Sequence, residues 1–497
     1  MINLSAFIAY HARVAPDRPA LMFENASVSY AQFEDRIART GGWLVGMGIA
    51  PGDVVAVFMK NCLAFMDLAF AVSHIGAVFL PINFRLSADE VAYIVGDAGA
   101  KLLVVDEELS AAAARASAKI VVADRAAQAD ATRLGAGSSV EMRALQKSDL
   151  YRLMYTSGTT DRPKGVMHTY DNFYWKSAGL GVALGIGADT RLLTTGPLYH
   201  VGAFDLPGIG VLWAGGMMYV HREFDAAACL ESIARHRLNA AWLAPVMTSA
   251  LLACPGREKY DVSSLRWAIG GGERTPEQRI RDFSGYFTNA RYIDAYGLTE
   301  SCSGDTLMEP DREIEKIGSV GRAIPHVEVR IRSSDGAFVE ANEEGEICLR
   351  GPKVAQGYWN APEKTKASFS GEWFLTGDVG YLDADGFLFL TDRKKDMIIS
   401  GGENIASSEV ERVIYQMPEV AEVAVIGAPD EKWGETPVAI VVLAPGAELD
   451  HEKLVAHCEG KLARFKIPKR TILRETLLRN PSGKILKRLL REDIAGS

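Results

Sequence analysis

A short polar stretch, YTSGTTDRPKG from Tyr155 to Gly165, carries the residue types in this chain best suited to hold an anion. It contains two glycines, four serine or threonine hydroxyls, an arginine and a lysine. Backbone N–H groups and hydroxyls in such a loop can donate hydrogen bonds to anionic oxygens. It does not fit the GxxxxGK[ST] phosphate loop, because its lysine is followed by glycine, and a Gly/Ser/Thr run alone is more often a surface linker. We expect the whole stretch to bind phosphate.

Two predicted elements position this loop. The residues before it, DLYRLM at 149–154, are typical of a buried strand, and those after it, NFYWKSAGLGVALG at 172–185, are typical of a helix. We therefore expect the loop at the end of a strand and near the N-terminus of a helix, where backbone N–H groups favour an anion.

Strand-like and helical segments alternate through the first three quarters of the chain. The stretch at 30–48 has the apolar spacing of an amphipathic helix. This alternation predicts α/β layers with buried, mostly parallel sheets. The predicted strands are 53–59, 77–84, 100–106, 119–124 and 191–197.

The pattern changes in the last third of the chain. After about residue 335, short apolar runs are separated by turn dipeptides, which predicts a β-rich subdomain closed by hairpins. Roughly the last hundred residues read as helix, strand, strand and helix. We place a domain boundary after Arg393, between an N-terminal domain at 1–393 and a small α+β domain at 394–497.

Composition excludes several classes of protein. The 497 residues include 63 acidic and 54 basic side chains, a net charge of −9, which argues against a nucleic-acid partner. Six cysteines lack metal-ligand spacing and are expected to be buried thiols. The longest uncharged apolar stretch, at 206–220, contains four glycines and is too short to cross a bilayer. With no signal-peptide pattern at the start, a cytoplasmic location is expected.

The opening stretch resembles the phosphate-binding signature of the adenylate-forming superfamily of acyl-CoA synthetases, luciferases and peptide-synthetase adenylation domains. Four further motifs of that family follow in order: YGLTES at 296–301, TGD at 376–378, DRKKDMIISGGENI at 392–405 and RNPSGKIL at 479–486. One residue departs from the pattern, since Asp161 stands where the family usually has glycine. A carboxylate beside a triphosphate is unfavourable unless it points outward.

The resemblance implies how ATP would bind. Tyr296 would cover the adenine, Asp294 would accept a hydrogen bond from its amino group and Thr299 would bond the α-phosphate. Glu300 would hold Mg²⁺, which prefers carboxylate and phosphate oxygens. Further contacts are expected from the loop, from GGGERTP at 270–276 and from the YGLTE segment: Thr156, Ser157, Gly158, Thr159, Thr160, Lys164, Gly271, Gly272, Glu273, Ala295 and Gly297.

The resemblance also assigns the ribose and the catalytic cation. Asp378 would chelate the ribose hydroxyls, because a carboxylate can accept two hydrogen bonds, and Arg393 would join it or touch the phosphates. Lys484 would be catalytic. The substrate carboxylate and the α-phosphate repel each other, so a cation between them favours their approach and the transition state.

In the family, a small C-terminal domain is mobile and serves both half-reactions. The resemblance therefore implies a lid domain at 394–497 that carries Lys484 and turns about a hinge at Lys395. After this turn, Gly401, Gly402 and Trp433 would shape a tunnel for the pantetheine arm of CoA.

The acyl side is expected around His200, which resembles the family's aromatic gate between nucleotide and carboxylate. Amino-acid-activating relatives keep an aspartate near the position of Val201, so its absence predicts an uncharged acyl group. The expected pocket residues are His200, Val201, Phe204, Trp242, Gly297 and Ser301.

The expected activity is that of an ATP-dependent carboxylate–CoA ligase with ATP, Mg²⁺ and CoA as cofactor and co-substrates. A medium or long-chain fatty acid is the expected substrate, because DRKKDMIISGGEN and VIGAPDEKWGE resemble bacterial fatty-acyl-CoA synthetases. Three alternatives stay open: an aryl-CoA ligase of the feruloyl, coumaroyl or benzoyl type, a standalone adenylating enzyme that loads a carrier protein, and a binder without turnover. A monomer or a homodimer is expected.

Overall fold

The computed structural model describes residues 2–156, 162–271, 275, 277–393, 396–400, 403–430, 432–479 and 485–495. The chain forms two compact units. The first comprises Met1–Val329 and Leu349–Phe374, and the second comprises Arg330–Cys348 and Leu375–Ser497. The domain boundary expected after residue 393 lies inside the second unit and stays a prediction.

The described residues form α-helices and β-strands in the alternating order that the sequence predicts. The helices are α1 Leu4–Val14, α2 Tyr30–Gly46, α3 Leu63–His74, α4 Ala88–Asp97, α5 Ser110–Ala113, α6 Arg125–Ala129, α7 Tyr170–Leu184, α8 Val201–Ala203, α9 Ile209–Trp213, α10 Ala226–His236, α11 Pro245–Leu252, α12 Glu277–Tyr286, α13 Pro362–Ala367, α14 Ser407–Ile414, α15 His451–Cys458 and α16 Lys487–Ala495. The strands are β1 Pro19–Phe23, β2 Ala26–Ser29, β3 Val54–Phe58, β4 Val78–Pro81, β5 Leu102–Asp106, β6 Lys119–Ala123, β7 Leu150–Thr156, β8 Lys164–Thr169, β9 Arg191–Thr194, β10 Met217–Val220, β11 Ala240–Trp242, β12 Trp267–Gly271, β13 Arg291–Tyr296, β14 Thr306–Leu307, β15 Arg322–Ala323, β16 Glu328–Arg332, β17 Gly345–Arg350, β18 Phe369–Ser370, β19 Trp373–Leu382, β20 Leu388–Arg393, β21 Ile398–Ser400, β22 Glu403–Ile405, β23 Val420–Asp430, β24 Gly434–Leu443 and β25 Arg470–Leu473.

Two mostly parallel sheets build the first unit. Within the described ranges, one has nine strands in the order β15-β14-β13-β12-β11-β9-β10-β1-β2, and the other has six in the order β6-β5-β3-β4-β7-β8. Helix α3 is buried along its whole length and shares one apolar core with residues of both sheets. A helix that is apolar all round requires such burial. The predicted layers of helices and buried parallel sheets are confirmed.

The strands on either side of the expected phosphate-binding loop are antiparallel neighbours. β7 pairs with β8, with Thr156 opposite Lys164 and Tyr155 opposite Gly165. The expectation that the loop lies beside a helix N-terminus is therefore wrong, because β8 separates it from α7. The residues KGVMHT form a strand since Gly165, Val166, His168 and Thr169 are buried in the hairpin.

The second unit contains an antiparallel sheet in the order β22-β21-β24-β23, with β25 parallel to β24. Helices α14 and α15 pack against this sheet and share one apolar core with it, which agrees with the predicted helix, strand, strand, helix pattern. Upstream, β16 to β20 form the predicted β-rich region, closed by the hairpin between β19 and β20.

All six cysteines are free thiols, and five are buried while Cys254 is partly exposed. Burial raises the pKa of the Cys302 thiol to about 12, which keeps it protonated at neutral pH. None of the helices in the described part of the chain is long and apolar enough to span a membrane.

Candidate active site

One face of β8 gathers much of the expected phosphate site. Lys164, Val166 and His168 alternate along the strand and therefore share a face. The Lys164 ammonium lies 5.5 Å from the ring centre of Tyr358, and Val166 forms a backbone bridge with the same tyrosine. His168 Nε2 lies 2.7 Å from the carbonyl oxygen of Thr299. A single strand thus places a lysine and the YGLTE segment on one surface.

The Thr299–Ser301 turn, which follows β13, is held from two sides. The Tyr358 hydroxyl donates a 2.9 Å hydrogen bond to Glu300 Oε1, and the backbone N–H of Ala355 donates a 2.7 Å bond to the Glu300 carbonyl. Burial and the neighbouring Glu300 carboxylate raise the pKa of Tyr358, so its hydroxyl stays protonated and can donate. The carboxylate of Glu300 is consequently oriented before any ligand binds.

Glu300 fits the expected Mg²⁺ ligand. Its carboxylate supplies hard oxygen donors, and the side chain is only partly buried. Mg²⁺ keeps water and phosphate ligands and commonly takes one or two carboxylates from the protein. In the described ranges no cluster of three or more His, Cys, Asp or Glu side chains could hold a metal.

The expected adenine contacts meet where β12 and β13 end. These parallel strands pair Gly271 with Ala295, and Asp294 and Tyr296 are buried beside them. A Cβ on Gly271 would lie 2.5 Å from the carbonyl oxygen of Ala295, so the close approach of the strands requires glycine. Ligands in α/β folds typically bind beyond the carboxyl ends of parallel strands. Gly271, Asp294, Ala295 and Tyr296 are thus brought together as expected.

Gly297 and Ser301 connect this edge to the Thr299–Ser301 turn. A Cβ on Gly297 would lie 2.3 Å from the backbone nitrogen of Gly304, so this position also requires glycine. The Ser301 hydroxyl donates to the Asp305 carboxylate, which forms a buried 2.7 Å ion pair with Lys353. The hydrogen bond of Ser301 to Asp305 therefore stabilises the Thr299–Ser301 turn.

Four of the six expected acyl residues, His200, Val201, Phe204 and Trp242, lie close together. His200 caps the short helix α8, with its Nδ1 accepting a 3.0 Å hydrogen bond from the Gly202 N–H. Val201 and Phe204 are buried. A Cβ on Gly196 or Gly202 would lie 2.2 or 2.7 Å from the indole of Trp242, so this indole rests directly on the backbone at both glycines. His200, Trp242 and α8 thus form one local group.

A buried ionic group was not predicted from the sequence. Arg152, Lys176 and Asp205 are each at most 1% exposed. Asp205 Oδ2 accepts a 2.5 Å hydrogen bond from Arg152, and Lys176 Nζ lies 3.4 Å from Asp205 Oδ1. Burial alone would raise the pKa of Asp205, but the charges of Arg152 and Lys176 outweigh it and hold that pKa below its usual value. The only signal in the sequence is a charged residue inside each of three apolar runs, DLYRLM, NFYWKSAG and VGAFDLPGIG.

Two expected ribose contacts are paired in the second unit. Asp378 on β19 lies opposite Arg393 on β20 in the antiparallel register. Asp378 is 7% exposed, and its backbone N–H donates a 3.1 Å hydrogen bond to the Thr376 hydroxyl. The hairpin therefore places the carboxylate residue and the arginine residue side by side.

The expected CoA residue Trp433 is 46% exposed in the second unit. Its backbone N–H donates a 2.9 Å bond to the Asp430 carboxylate, and the Lys432 ammonium lies 4.7 Å from its ring centre. The next residue, Gly434, pairs with Ser400, the residue that precedes the SGGEN glycines. Trp433 is thus adjacent to the end of β21.

Several expected site residues lie outside the described residues, and their roles stay predictions. They are Ser157, Gly158, Thr159, Thr160 and Asp161 of the loop, Gly272 and Glu273 of GGGERTP, Lys395, Gly401, Gly402 and Lys484.

Comparison with known proteins identifies the family. Residues 8–359 match the AMP-binding enzymes, and residues 409–484 match the AMP-binding enzyme C-terminal domain. The long-chain-fatty-acid–CoA ligase FadD13 of Mycobacterium tuberculosis is 36% identical, with 100% of this chain and 99% of that protein covered. A feruloyl-CoA synthase from Amycolatopsis sp is also 36% identical, with 98% of each chain covered. The o-succinylbenzoate CoA synthetase MenE of Bacillus subtilis, solved with its acyl-adenylate intermediate, is 31% identical with a TM-score of 0.89 over 98% of this chain and 97% of that one.

The chain therefore belongs to the AMP-binding enzymes of the adenylate-forming superfamily, as the motif order predicted. Within that superfamily it is an acyl-CoA synthetase, a ligase that activates a carboxylic acid for transfer to CoA.

Proposed function

We propose that this enzyme uses ATP and Mg²⁺ to join a carboxylic acid with an otherwise uncharged acyl group to CoA through an acyl adenylate. The main support is the arrangement of β8 and the YGLTE turn, in which Lys164, Thr299 and a Glu300 carboxylate oriented by Tyr358 share one surface. Such fixed cations and donors can bind a triphosphate and stabilise charge that develops during its cleavage.

In the first half-reaction, a carboxylate oxygen of the substrate attacks the α-phosphorus of ATP. The bond from that phosphorus to the bridging oxygen breaks, and pyrophosphate leaves. Lys164 and the loop hydroxyls offset phosphate charge, Thr299 donates to the α-phosphate, and Lys484 reduces the repulsion between the two anions. Mg²⁺ bound at Glu300 would neutralise charge on the phosphate oxygens.

In the second half-reaction, the CoA sulfur attacks the acyl carbonyl carbon. The bond between that carbon and the phosphate oxygen breaks, AMP leaves, and the thiol proton passes to solvent. His200 borders the acyl carbonyl group, while Trp433 packs against the pantetheine arm. We also propose a cytoplasmic location.

A medium or long-chain fatty acid is the first substrate candidate. The buried apolar side chains of Val201 and Phe204 favour an uncharged acyl group, and the ligase FadD13 is named for long-chain fatty acids. An aryl acid is the second candidate. The indole of Trp242 approaches Gly196 and Gly202 closely enough to exclude a side chain at either position, and a fixed indole is a suitable wall for an aromatic ring.

A panel of acids tests this function. Acetate, octanoate, palmitate, benzoate, ferulate and indoleacetate would be assayed for AMP release with and without CoA. We expect CoA-dependent AMP release with at least one hydrophobic acid, and the preferred acid decides between the two candidates. Activity only with an acyl carrier protein, or none with any acid, would contradict the proposal.

Replacing Tyr358 by phenylalanine should weaken the use of Mg²⁺. The variant keeps the ring beside Lys164 and Val166 but loses the hydroxyl that orients Glu300. Loss of a hydrogen bond to a ligating carboxylate typically weakens metal binding about 10- to 100-fold. We therefore expect about a tenfold rise in the Mg²⁺ concentration for half-maximal pyrophosphate release.

The matched control for this prediction is Tyr219→Phe. The Tyr219 hydroxyl also donates to a single acceptor, the Glu24 carbonyl, in another part of the first unit. Its loss should leave the half-maximal Mg²⁺ concentration unchanged. Equal changes of that concentration in the two variants would contradict the role proposed for Tyr358.

Trp433→Ala should impair the second half-reaction alone. Removal of the exposed indole is expected to raise the KM for CoA about tenfold, which corresponds to ~1.4 kcal/mol of binding. Carboxylate-dependent pyrophosphate exchange without CoA should keep its rate. Phe465→Ala is the control, since Phe465 is an exposed aromatic with a neighbouring lysine in the same unit. An unchanged KM for CoA in Trp433→Ala would contradict the assignment of this residue to the CoA site.

A further inference from the structure

A chain of hydrogen bonds between buried side chains connects the unpredicted ionic group to the Thr299–Ser301 turn. Asp205 accepts from Arg152, Arg152 Nε donates a 3.0 Å bond to His168 Nδ1, and His168 Nε2 lies 2.7 Å from the Thr299 carbonyl oxygen. Arg152, His168 and Asp205 are at most 1% exposed. The chain therefore runs through the interior of the first unit from the segment after α8 to the YGLTE turn.

The partners of His168 determine its tautomer. Arginine can only donate, so Nδ1 must accept and carries no proton. The proton of the neutral ring is then on Nε2, where it is donated to the Thr299 carbonyl. Burial, together with the positive charge of Arg152, lowers the pKa of His168 to about 3, so the ring is neutral. This agrees with the geometry, which by itself already requires an Nε2 donor.

His168 also couples two parts of the phosphate site. It lies four residues after Lys164 on β8 and on the same face of that strand. Its hydrogen bond fixes the carbonyl of Thr299, while the Ala355 N–H fixes the carbonyl of Glu300, the next residue. The two hydrogen bonds therefore fix the position of the backbone at Glu300 relative to Lys164.

We propose that His168 is a positioning residue for adenylate formation. By donating its Nε2–H to the Thr299 carbonyl, it holds the Thr299–Glu300 peptide in a fixed position relative to Lys164. The inference rests on the proposed function. His168 touches neither ATP nor the acid in this role. Arg152 and Asp205 support it by fixing the ring orientation and the tautomer.

Two substitutions separate positioning from simple packing. In His168→Asn, the side-chain oxygen can occupy the place of Nδ1 and keep the bond from Arg152, but the side chain is too short to reach the Thr299 carbonyl. In His168→Gln, the longer amide can place an N–H donor near the position of Nε2. Because Asn is also smaller than Gln, packing is judged by a second readout: a packing defect would lower thioester formation and pyrophosphate exchange alike.

We expect His168→Asn to slow carboxylate-dependent pyrophosphate exchange about 10- to 100-fold, because small misplacements of catalytic groups have effects of this size. Its half-maximal Mg²⁺ concentration should rise as well. His168→Gln should recover most of the exchange rate. Thioester formation from supplied acyl adenylate, which involves no triphosphate, should fall less in both variants. Rates are expressed per folded protein from near-ultraviolet circular dichroism.

His74→Gln is the matched control, because His74 is also buried and its Nε2 lies 2.9 Å from a carbonyl oxygen, that of Val140. This variant should keep the wild-type exchange rate. Equal exchange rates in His168→Asn and His168→Gln would overturn the inference. If the wild-type protein shows no exchange with any acid, the proposed function fails instead.

A spectroscopic readout is independent of activity. Long-range ¹⁵N–¹H correlation spectra of ¹⁵N-histidine-labelled protein, assigned with His168→Gln, should show the Nε2–H tautomer for His168. An Nδ1–H tautomer would contradict the proposal even if the enzyme is fully active.

Discussion

Lys484→Ala is expected to lower the rate of acyl-adenylate formation by about 10³-fold, because it removes the cation that we propose offsets repulsion between the carboxylate and the α-phosphate. Thioester formation from supplied acyl adenylate should stay near the wild-type rate, since that step joins a thiol to an acyl group that is already activated. Pyrophosphate exchange measures the first step, and rapid-quench analysis of acyl-CoA measures the second.

Lys453→Ala is the control for this substitution. Lys453 belongs to the same unit and forms a partly exposed ion pair with Glu419, and such pairs near the surface contribute little to stability. It should leave both half-reactions unchanged. A normal exchange rate in Lys484→Ala, or equal losses in the two half-reactions, would contradict the catalytic assignment.

Asp205→Asn should have the largest effect on stability. It leaves Arg152 and Lys176 buried without the carboxylate that balances them. Breaking a buried ion pair by removing one partner typically costs about 3–5 kcal/mol, because the remaining charge stays out of water. Urea denaturation followed by tryptophan fluorescence should therefore show a large decrease in the transition midpoint.

A second Arg–Asp pair in the same unit provides the comparison. Arg266 and Asp189 are 2.8 Å apart, but their side chains are 65% and 66% exposed. Asp189→Asn should cost no more than about 1 kcal/mol, as is usual for exposed pairs. If Asp205→Asn is tolerated as well as Asp189→Asn, the buried group does not stabilise the fold as described.

Local sequence patterns predicted the layers of the fold well. The run DVVAVFM became β3, in which every residue is buried, and the amphipathic stretch at 30–48 became α2. These predictions succeed because burial on both faces of a parallel strand requires continuous apolar residues, and a half-buried helix requires apolar residues at helical spacing.

Contacts between residues distant in sequence could not be predicted in this way. Strand β8 was missed because KGVMHT is short and follows a loop rich in turn residues. Its strand character depends on pairing with β7 and on the burial of Val166 and His168. The network of Arg152, His168, Lys176 and Asp205 joins four separate segments, and a charged residue in an apolar run does not reveal its partner.

In the candidate site, too, the sequence predicted residues within each motif but not the contacts between distant segments. Motif order placed Thr299, Glu300 and Lys164 in one site, but no motif indicated that Tyr358 orients Glu300 or that His168 holds the Thr299 carbonyl. These supporting residues act through tertiary hydrogen bonds, whereas the motifs record residues that are expected to contact the substrates.

The acyl adenylate is the central claim, and an oxygen-isotope experiment tests it most directly. The preferred acid, labelled with oxygen-18 in its carboxylate, would be converted to acyl-CoA, and the products would be analysed by mass spectrometry. If the carboxylate attacks the α-phosphorus, one labelled oxygen appears in AMP and none in pyrophosphate. Label in inorganic phosphate together with ADP, or no label in AMP, would contradict the mechanism.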